Sequence, residues 1–446
     1  MDVREFPVLT EADRELIDVF AIGLGDDAAR VLAYLQRRRE DDEFSDTSTE
    51  TAVHVGTNVS KSAAKRSLTE LTSAAIIEET TVQTTDPGRP PKAWRAVSTR
   101  DETARRLYAH HAKRLLEQSK RVEARLPETR AADGTGGDDS DDEADRLARP
   151  DLVSIGLNWQ PNGLHLPLFA ARASDDSRSS VEFAFREYTG SRRVIDGVES
   201  GESDVGIAGA ATVVRERERG RPIVPIAVLF QRSTVVLFTT REQFGGSFDS
   251  LECLRGRRVG MPTGTETGLL GRLLLEQAGI REAVEVVDVE GEERDALESG
   301  SVDVVTGMGP DPHRVESSTR TVEVLTMTDQ FPVYGPVVIA NESTLETRPT
   351  MLEGVLAAIV DGWASAVEDP EPAAADIAAD SDESADRIVN TFERAREAFG
   401  TSDAVRKHGW GWHAPKPWSN LRAALAEGGA FDESRGGTQN GVSNDD

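Results

Sequence analysis

The chain reads as an α/β protein carrying a small α+β module at its N-terminal end. Three observations predict this. Beyond Leu152, short apolar runs alternate with helical stretches, the pattern of an α/β fold on a mainly parallel sheet. Upstream, helical segments are followed by two β-like runs. Between the two halves lies residues 127–150, with 3 basic and 8 acidic residues and the run Gly134-Thr135-Gly136-Gly137. Low hydrophobicity and high charge there predict a disordered linker. The expected divisions are an α+β domain at 1–100, a helix at 101–126, the linker at 127–150, the α/β domain at 151–431 and a loose tail at 432–446.

Charge and composition narrow the setting. The net charge is −28, and only 7 of the 51 basic residues are lysine. Such acidity keeps a chain soluble by self-repulsion and fits a salt-rich cytoplasm. Cys253 is the single cysteine, so an intramolecular disulfide and a multi-thiolate metal site are excluded. Met1-Asp2-Val3-Arg4-Glu5 opens no apolar signal segment, and no stretch reads as a membrane span. A cytoplasmic protein with no membrane partner is expected.

The acidity is uneven. Residues 54–125 hold 14 basic and 8 acidic residues, a net of +6. Asp26 and Asp27 can open a helix with Ala28, Val31, Leu32 and Leu35 on one face. Thr47 with Glu50 has the spacing of a capping box before a second helix. Ser60 can cap a third, with Ala64, Leu68 and Leu71 inward and Lys61, Ser62, Lys65 and Arg66 outward. β-like runs at Ile76–Thr81 and Ala93–Val97 flank a loop with Arg89 and Lys92. Three helices and a basic hairpin are the order of a winged helix-turn-helix. The Gly88-Arg89-Pro90-Pro91-Lys92 wing resembles those of archaeal and bacterial winged-helix regulators. The expected partner is double-stranded DNA, with Lys61, Ser62, Lys65 and Arg66 on the groove side and Arg89 and Lys92 on the wing. The bland alternative is a protein-contact module whose charges are a solvated face.

The helix from about Asp101 to Leu126 puts Ala104, Tyr108, His111, Leu115, Val122 and Leu126 roughly on one stripe. That stripe needs a partner, either a second copy in a homodimer or the chain's own domain. His110 and His111 point to different faces and are read as ordinary polar positions, so no metal is expected.

In the α/β part, strands are expected at Val153–Leu157, Val205–Ala208, Ile223–Leu229, Val235–Thr239, Val259–Met261, Val284–Val289, Val302–Thr306 and Val337–Ala340. Ligands of such sheets bind outside the carboxyl ends of the strands. Trp159 follows the first strand and offers a π-face for a heteroaromatic ring. Asn158, Asn162 and His165 offer directional hydrogen bonds. Thr263, Gly264 and Thr265 precede a helix whose N–H groups could hold an anion, although Glu266 weakens a phosphate reading. Trp410, Trp412 and His413 either line the cleft or pack, with packing preferred.

The run Ile155-Gly156-Leu157-Asn158-Trp159-Gln160-Pro161-Asn162-Gly163 closely resembles the opening strand and loop of the thiamine-pyrimidine precursor synthases. It is also similar to the binding proteins of thiamine-precursor and sulfonate transporters. Gly201-Glu202-Ser203-Asp204-Val205-Gly206, Leu254-Arg255-Gly256-Arg257-Arg258-Val259-Gly260 and Tyr334-Gly335-Pro336-Val337-Val338 resemble later segments of the same group, in the same order. The resemblance implies a two-lobed, periplasmic-binding-protein-like (type II) domain with ligand in the cleft, and places Tyr334 at the return strand.

The resemblance also implies chemistry that the residues here do not carry. The synthases hold pyridoxal phosphate through a lysine and consume a histidine four residues later. Those positions align with Ala208 and Thr212, and the family's cysteine motif is absent from Gln330-Phe331-Pro332-Val333-Tyr334. Without an amine there is no Schiff base, and no cofactor is expected. The expectation is a regulator that binds DNA as a dimer and closes its cleft on a small heteroaromatic metabolite, a thiamine pyrimidine precursor or a relative. The ligand site would include Ala208 and Thr212. The alternatives are a thiamine-synthesis enzyme with a regulatory head and a cytoplasmic ligand-binding adaptor. A flexible linker would couple the halves poorly, leaving dimer geometry as the route for a signal.

Overall fold

The computed structural model describes residues 8–40, 45–82, 90–127, 151–173, 181–316 and 320–431. The expected linker beyond Pro127, Arg89 of the expected wing and the expected tail from 432 lie outside these.

The N-terminal part runs α1 (Arg14–Gly23), α2 (Asp26–Glu40), β1 (Ser48–Thr49), α3 (Glu50–Thr57), α4 (Lys61–Ser73), β2 (Ile77–Thr81), β3 (Lys92–Ala96) and α5 (Arg100–Glu123). The three strands form an antiparallel sheet in the order β1-β3-β2. α2 has Asp26 and Asp27 in its first turn and Arg37, Arg38 and Arg39 in its last, matching the helix dipole. The cap of α3 is Thr49, whose hydroxyl accepts from the Ala52 N–H at 3.3 Å, and not Thr47. Ser60 caps α4 as expected, accepting from the Ala63 N–H at 3.2 Å. Leu32, Leu35, Val53, Ala64, Leu68 and Leu71 fill the core between these helices.

The rest of the chain makes two lobes. The first holds β4 (Asp151–Leu157), α6 (Leu166–Ala173), β5 (Val181–Glu187), α7 (Ser191–Ser200), β6 (Val205–Gly209), α8 (Ala210–Glu218) and β7 (Ile223–Val228). The second holds β8 (Val235–Thr240), α9 (Arg241–Phe244), β9 (Arg258–Gly260), α10 (Glu266–Gln277), β10 (Glu285–Val287), α11 (Glu293–Glu298), β11 (Val304–Met308), α12 (Pro312–Val315), β12 (Val322–Thr326) and α13 (Met327–Gln330). The chain then returns to lobe 1 as β13 (Pro336–Asn341) and α14 (Glu342–Thr347). It ends with α15 (Pro349–Glu368), α16 (Glu371–Ala379), α17 (Ala385–Phe399), α18 (Asp403–His408) and α19 (Pro415–Glu427).

The sheet orders are β5-β4-β6-β13-β7 and β10-β9-β11-β8-β12. Each sheet has one strand antiparallel to its neighbours, β13 in one and β8 in the other. These are the strands that arrive from the opposite lobe. The two crossings lie side by side. The Ser233 N–H donates to the Val333 carbonyl at 2.7 Å, and the Gly335 N–H to the Phe230 carbonyl at 2.9 Å. A Cβ at Gly335 would stand 2.6 Å from the Arg232 carbonyl, so only glycine permits this approach.

The apolar stripe of α5 finds its partner inside the chain. Tyr108, His111, Leu115, Val122 and Leu126 are all buried. α5 packs on α15, on β7 and on α1. The segment after α18 is clamped between the two halves: Trp410 N–H donates to the Ile22 carbonyl at 2.7 Å, and its own carbonyl faces His111 Nε2 at 2.7 Å. Gln118 Nε2 donates to the His413 carbonyl at 2.8 Å, and the Ser119 hydroxyl to the Ile226 carbonyl at 3.1 Å. The stripe is therefore not free to make a dimer contact, and the two halves touch directly rather than through the linker alone. α15 has the length and apolarity of a membrane span, yet Leu352, Leu356, Ile359 and Trp363 are buried against α5 and α6.

Candidate functional site: a cleft between two lobes

A cavity of about 520 Å³ lies between the lobes, bounded by both crossings. Of the residues expected to hold a ligand, Asn158, Trp159, Asn162, His165, Thr265 and Tyr334 line it. β4 ends at Leu157, and the loop beyond it turns tightly onto α17; a Cβ at Gly163 would stand 2.4 Å from the Ile388 carbonyl. Trp159 stands at the mouth, 51% exposed. His165 is only 3% exposed. Its Nε2 faces Asn158 Oδ1 at 3.1 Å, and its buried Nδ1 has no partner within the protein. Burial lowers its pKa to about 4, so the ring is neutral at neutral pH.

Three of the six are committed to the scaffold. Asn162 Oδ1 accepts from the Leu164 N–H at 2.9 Å, and its Nδ2 donates to the Gln160 carbonyl at 2.9 Å. Thr265 caps α10, accepting from the Gly268 N–H at 3.1 Å. Tyr334 is tied at its hydroxyl, which accepts from the Ala414 N–H at 3.1 Å, and its ring packs on Trp418.

Four expected ligand residues are not in the cavity wall. Ala208 sits on β6 between Ile207 and Gly209, which do line it; side chains alternate along a strand, so Ala208 faces the opposite side and is fully buried. Thr212 lies in the first turn of α8, bonded to Glu266. Thr263 and Gly264 are exposed outside the cleft, where the Thr263 N–H donates to Asp288 Oδ1 at 3.1 Å. Trp410 and His413 pack, and neither reaches the cavity.

The structure adds residues the sequence did not single out as ligands. Glu266 projects from α10 of lobe 2 across to the N-terminus of α8 in lobe 1. Its Oε1 accepts from the Ala211 N–H at 3.0 Å. Its Oε2 accepts from the Thr212 N–H at 2.8 Å and the Thr212 hydroxyl at 2.5 Å. Burial pushes the pKa of Glu266 up, and these three donors pull it down. Glu293 and Asp311 also line the cavity, both with pKa values raised by burial. Glu266 stands in the Thr-Gly-Thr-Glu-Thr-Gly run, so its presence in the loop was readable, while its destination was not.

On the N-terminal module, Lys61, Ser62, Lys65 and Arg66 all lie exposed along α4. Arg66 is near Asp27 at 3.5 Å. Lys92 opens β3, exposed, and pairs with Glu79 at 2.7 Å. Among the described residues no group of three or more His, Cys, Asp or Glu side chains is arranged to hold a metal ion.

Comparison with known proteins fits the two-lobed part. Residues 177–373 match the family described as NMT1/THI5 like. The 4-amino-5-hydroxymethyl-2-methylpyrimidine phosphate synthases THI5 and THI12 of Saccharomyces cerevisiae (strain ATCC 204508 / S288c) are each 27% identical over 112 residues, 25% of this chain and 32% of theirs. The chain thus spans about a third of the length of these relatives. Among solved structures, the periplasmic aliphatic sulphonate binding protein SsuA from Escherichia coli superposes with a TM-score of 0.51 at 16% identity, covering 64% of this chain and 95% of that one. The C-terminal part of the chain therefore has a two-lobed, periplasmic-binding-protein-like α/β fold, and its residues 177–373 match the NMT1/THI5-like family.

Proposed function

We propose that this protein is a ligand-responsive transcription regulator. Its N-terminal module acts as a winged helix-turn-helix on double-stranded DNA, and the cleft between its lobes receives a small heteroaromatic metabolite related to the thiamine pyrimidine. The carrying observation is the direct seating of the N-terminal module on lobe 1. α5, Trp410 and the Ile22 carbonyl join the module to the lobe that also supplies Asn158, Trp159 and His165 to the cleft. Ligand closure then has a packed route to α4, with no need for the linker.

The cleft works as a receptor rather than an active site. The residues present do not fit pyridoxal phosphate: among the described residues its wall has no lysine, Ala208 faces away, and the α8 N-terminus is taken by Glu266. Lys61, Lys65 and Arg66 supply the phosphate and groove contacts. In a salt-rich cytoplasm the Debye length is about 3 Å at 1 M, so these contacts act at close fit rather than at long range. A palindromic operator would take two copies, joined elsewhere than through the buried α5 stripe.

The test is genome-wide mapping of the sites this protein occupies in its own cells, with and without thiamine. Discrete sites upstream of thiamine or pyrimidine-transport genes that change on addition are expected. Discrete sites elsewhere discard the thiamine ligand. No sites in either condition remove the regulator.

A further inference from the structure

The cleft carries a feature that an anion receptor should not have. A helix N-terminus offers unpaired N–H groups and the positive end of a dipole, the natural seat for a phosphate, sulfonate or carboxylate. Here that seat, at α8, opens toward the cavity through Gly209 and is filled by the chain's own carboxylate. Glu266 takes the Ala211 and Thr212 N–H groups and the Thr212 hydroxyl. Gly209 is shaped to this arrangement: a Cβ there would stand 2.2 Å from Glu266 Cδ.

The rest of the wall has the same sign. Glu293 and Asp311 line the cavity as well. Its two arginines are already paired, Arg294 with Glu298 at 3.2 Å, and Arg314 with Asp311 at 3.4 Å and with Glu383. A second, independent observation points to the ligand's own hydrogen bonding. His165 is buried in the cavity wall, and Asn158 Oδ1 at 3.1 Å holds its Nε2 as the donor. Nδ1 is left as a lone-pair acceptor with no protein partner. Nδ1 is closed to solvent here, so an N–H donor on the ligand, such as a ring amino group, would meet it only if the loop from Asn158 to His165 shifts on binding.

We propose that Glu266 stands where a ligand anion would sit, so that the cleft takes an uncharged or cationic amino-substituted heteroaromatic ring and rejects its phosphorylated or sulfonated forms. This rests on reading the cleft as a receptor site. An anion placed beside Glu266 would leave two like charges within about 4 Å in a partly dry site, where each such contact costs several-fold in affinity or more.

The test uses the full-length protein and calorimetric titration. Inorganic phosphate is titrated into the wild type and into Glu266→Ala. The wild type is expected to give no saturable heat from the cleft, and the variant to gain phosphate binding at the freed α8 N-terminus. Phosphate binding of equal strength in both, or a folded variant that gains none, overturns the proposal. Glu266→Gln keeps an acceptor for α8 and serves if the alanine variant fails to fold. It is expected to raise phosphate affinity by at least about tenfold relative to wild type, and no gain overturns the proposal.

The second measurement compares 4-amino-5-hydroxymethyl-2-methylpyrimidine with its phosphate ester on the wild type. The free alcohol is expected to bind at least about tenfold more tightly. Tighter binding of the phosphate overturns the proposal. If neither pyrimidine binds, the thiamine-related ligand of the proposed function fails, and the phosphate titrations still decide the role of Glu266.

Discussion

Lobe 1 and lobe 2 share a topology but differ in what they are joined to. The core of lobe 1 runs without a break into the N-terminal module, so that Leu107, Tyr108 and Leu115 of α5 share one cluster with Ile226, Val338, Leu356 and Trp410. Lobe 2 keeps a small core of its own around Val236, Phe238, Val302 and Val305. It meets lobe 1 through the crossings and through the α8, α10 and α19 seam. Lobe 2 in turn shares a core with the opposite face of lobe 1, around Val213, Ile339, Leu270 and Leu274, so the module and lobe 1 pack as one body and any closure of the cleft would carry lobe 2 against it.

Acid should strain the two bodies unequally, and this is the largest effect expected. His111 and His413 lie at the seam between the module and lobe 1, and His165 lies in lobe 1. Burial lowers their pKa values to about 3, 3 and 4. Unfolded histidine titrates near 6.5. Below that pH the unfolded chain binds protons that the folded chain refuses, so stability is full above about 6.5 and falls as pH drops toward 4. Three such groups give a slope of up to about 4 kcal/mol per pH unit. Hydrogen exchange across that window should show the module and lobe 1 loosening before lobe 2. Equal loosening would mean that the three buried histidines do not set the acid response of the module and lobe 1.

Trp410→Ala comes next. Trp410 is 2% exposed and packs on Trp363 at a ring distance of 5.5 Å. Its loss should cost about 3–5 kcal/mol. In thermal melts the module and lobe 1 should shift together; a module that melts unchanged would show the two to be separate bodies. Trp159→Ala acts at the cleft instead. Half-exposed at the cleft mouth, Trp159 adds little to the fold, so stability should hold while affinity for an aromatic ligand drops by about tenfold, ~1.4 kcal/mol. The smallest effect is Lys65→Ala on α4. It should leave the melt unchanged and lower the slope of log affinity for DNA against log salt by about 0.9. An unchanged slope would remove Lys65 from the proposed DNA face.

Much of the framework was legible because it is local. Eight strands of the two-lobed part fall where short apolar runs predict them. β5 and β12 escaped notice because they are sheet edges. Val181–Glu187 and Val322–Thr326 interleave charged and polar residues with apolar ones and are only partly buried. The cleft was legible where the chain itself forms the turn, from Asn158 to His165. It was misread at Ala208, because an alignment position does not say which face of a strand it occupies. It was misread at Thr263 and Gly264, because the start of α10 is self-capped by Thr265 and projects Glu266 instead.

Local spacing along the chain sets the alternation of strands and helices, the Ser60 cap, the basic face of α4 and the aromatic loop after β4. Each depends on spacing within a few residues, where backbone geometry fixes which side chains share a face. The partner of the α5 stripe, the burial of His111 and His413, and the reach of Glu266 to α8 come from long-range packing. Those contacts join residues 54 to 299 positions apart. The stripe and the carboxylate state a need for a partner, and several surfaces could meet it. Packing density and the burial of polar groups select among them, and neither quantity exists until the chain has closed on itself.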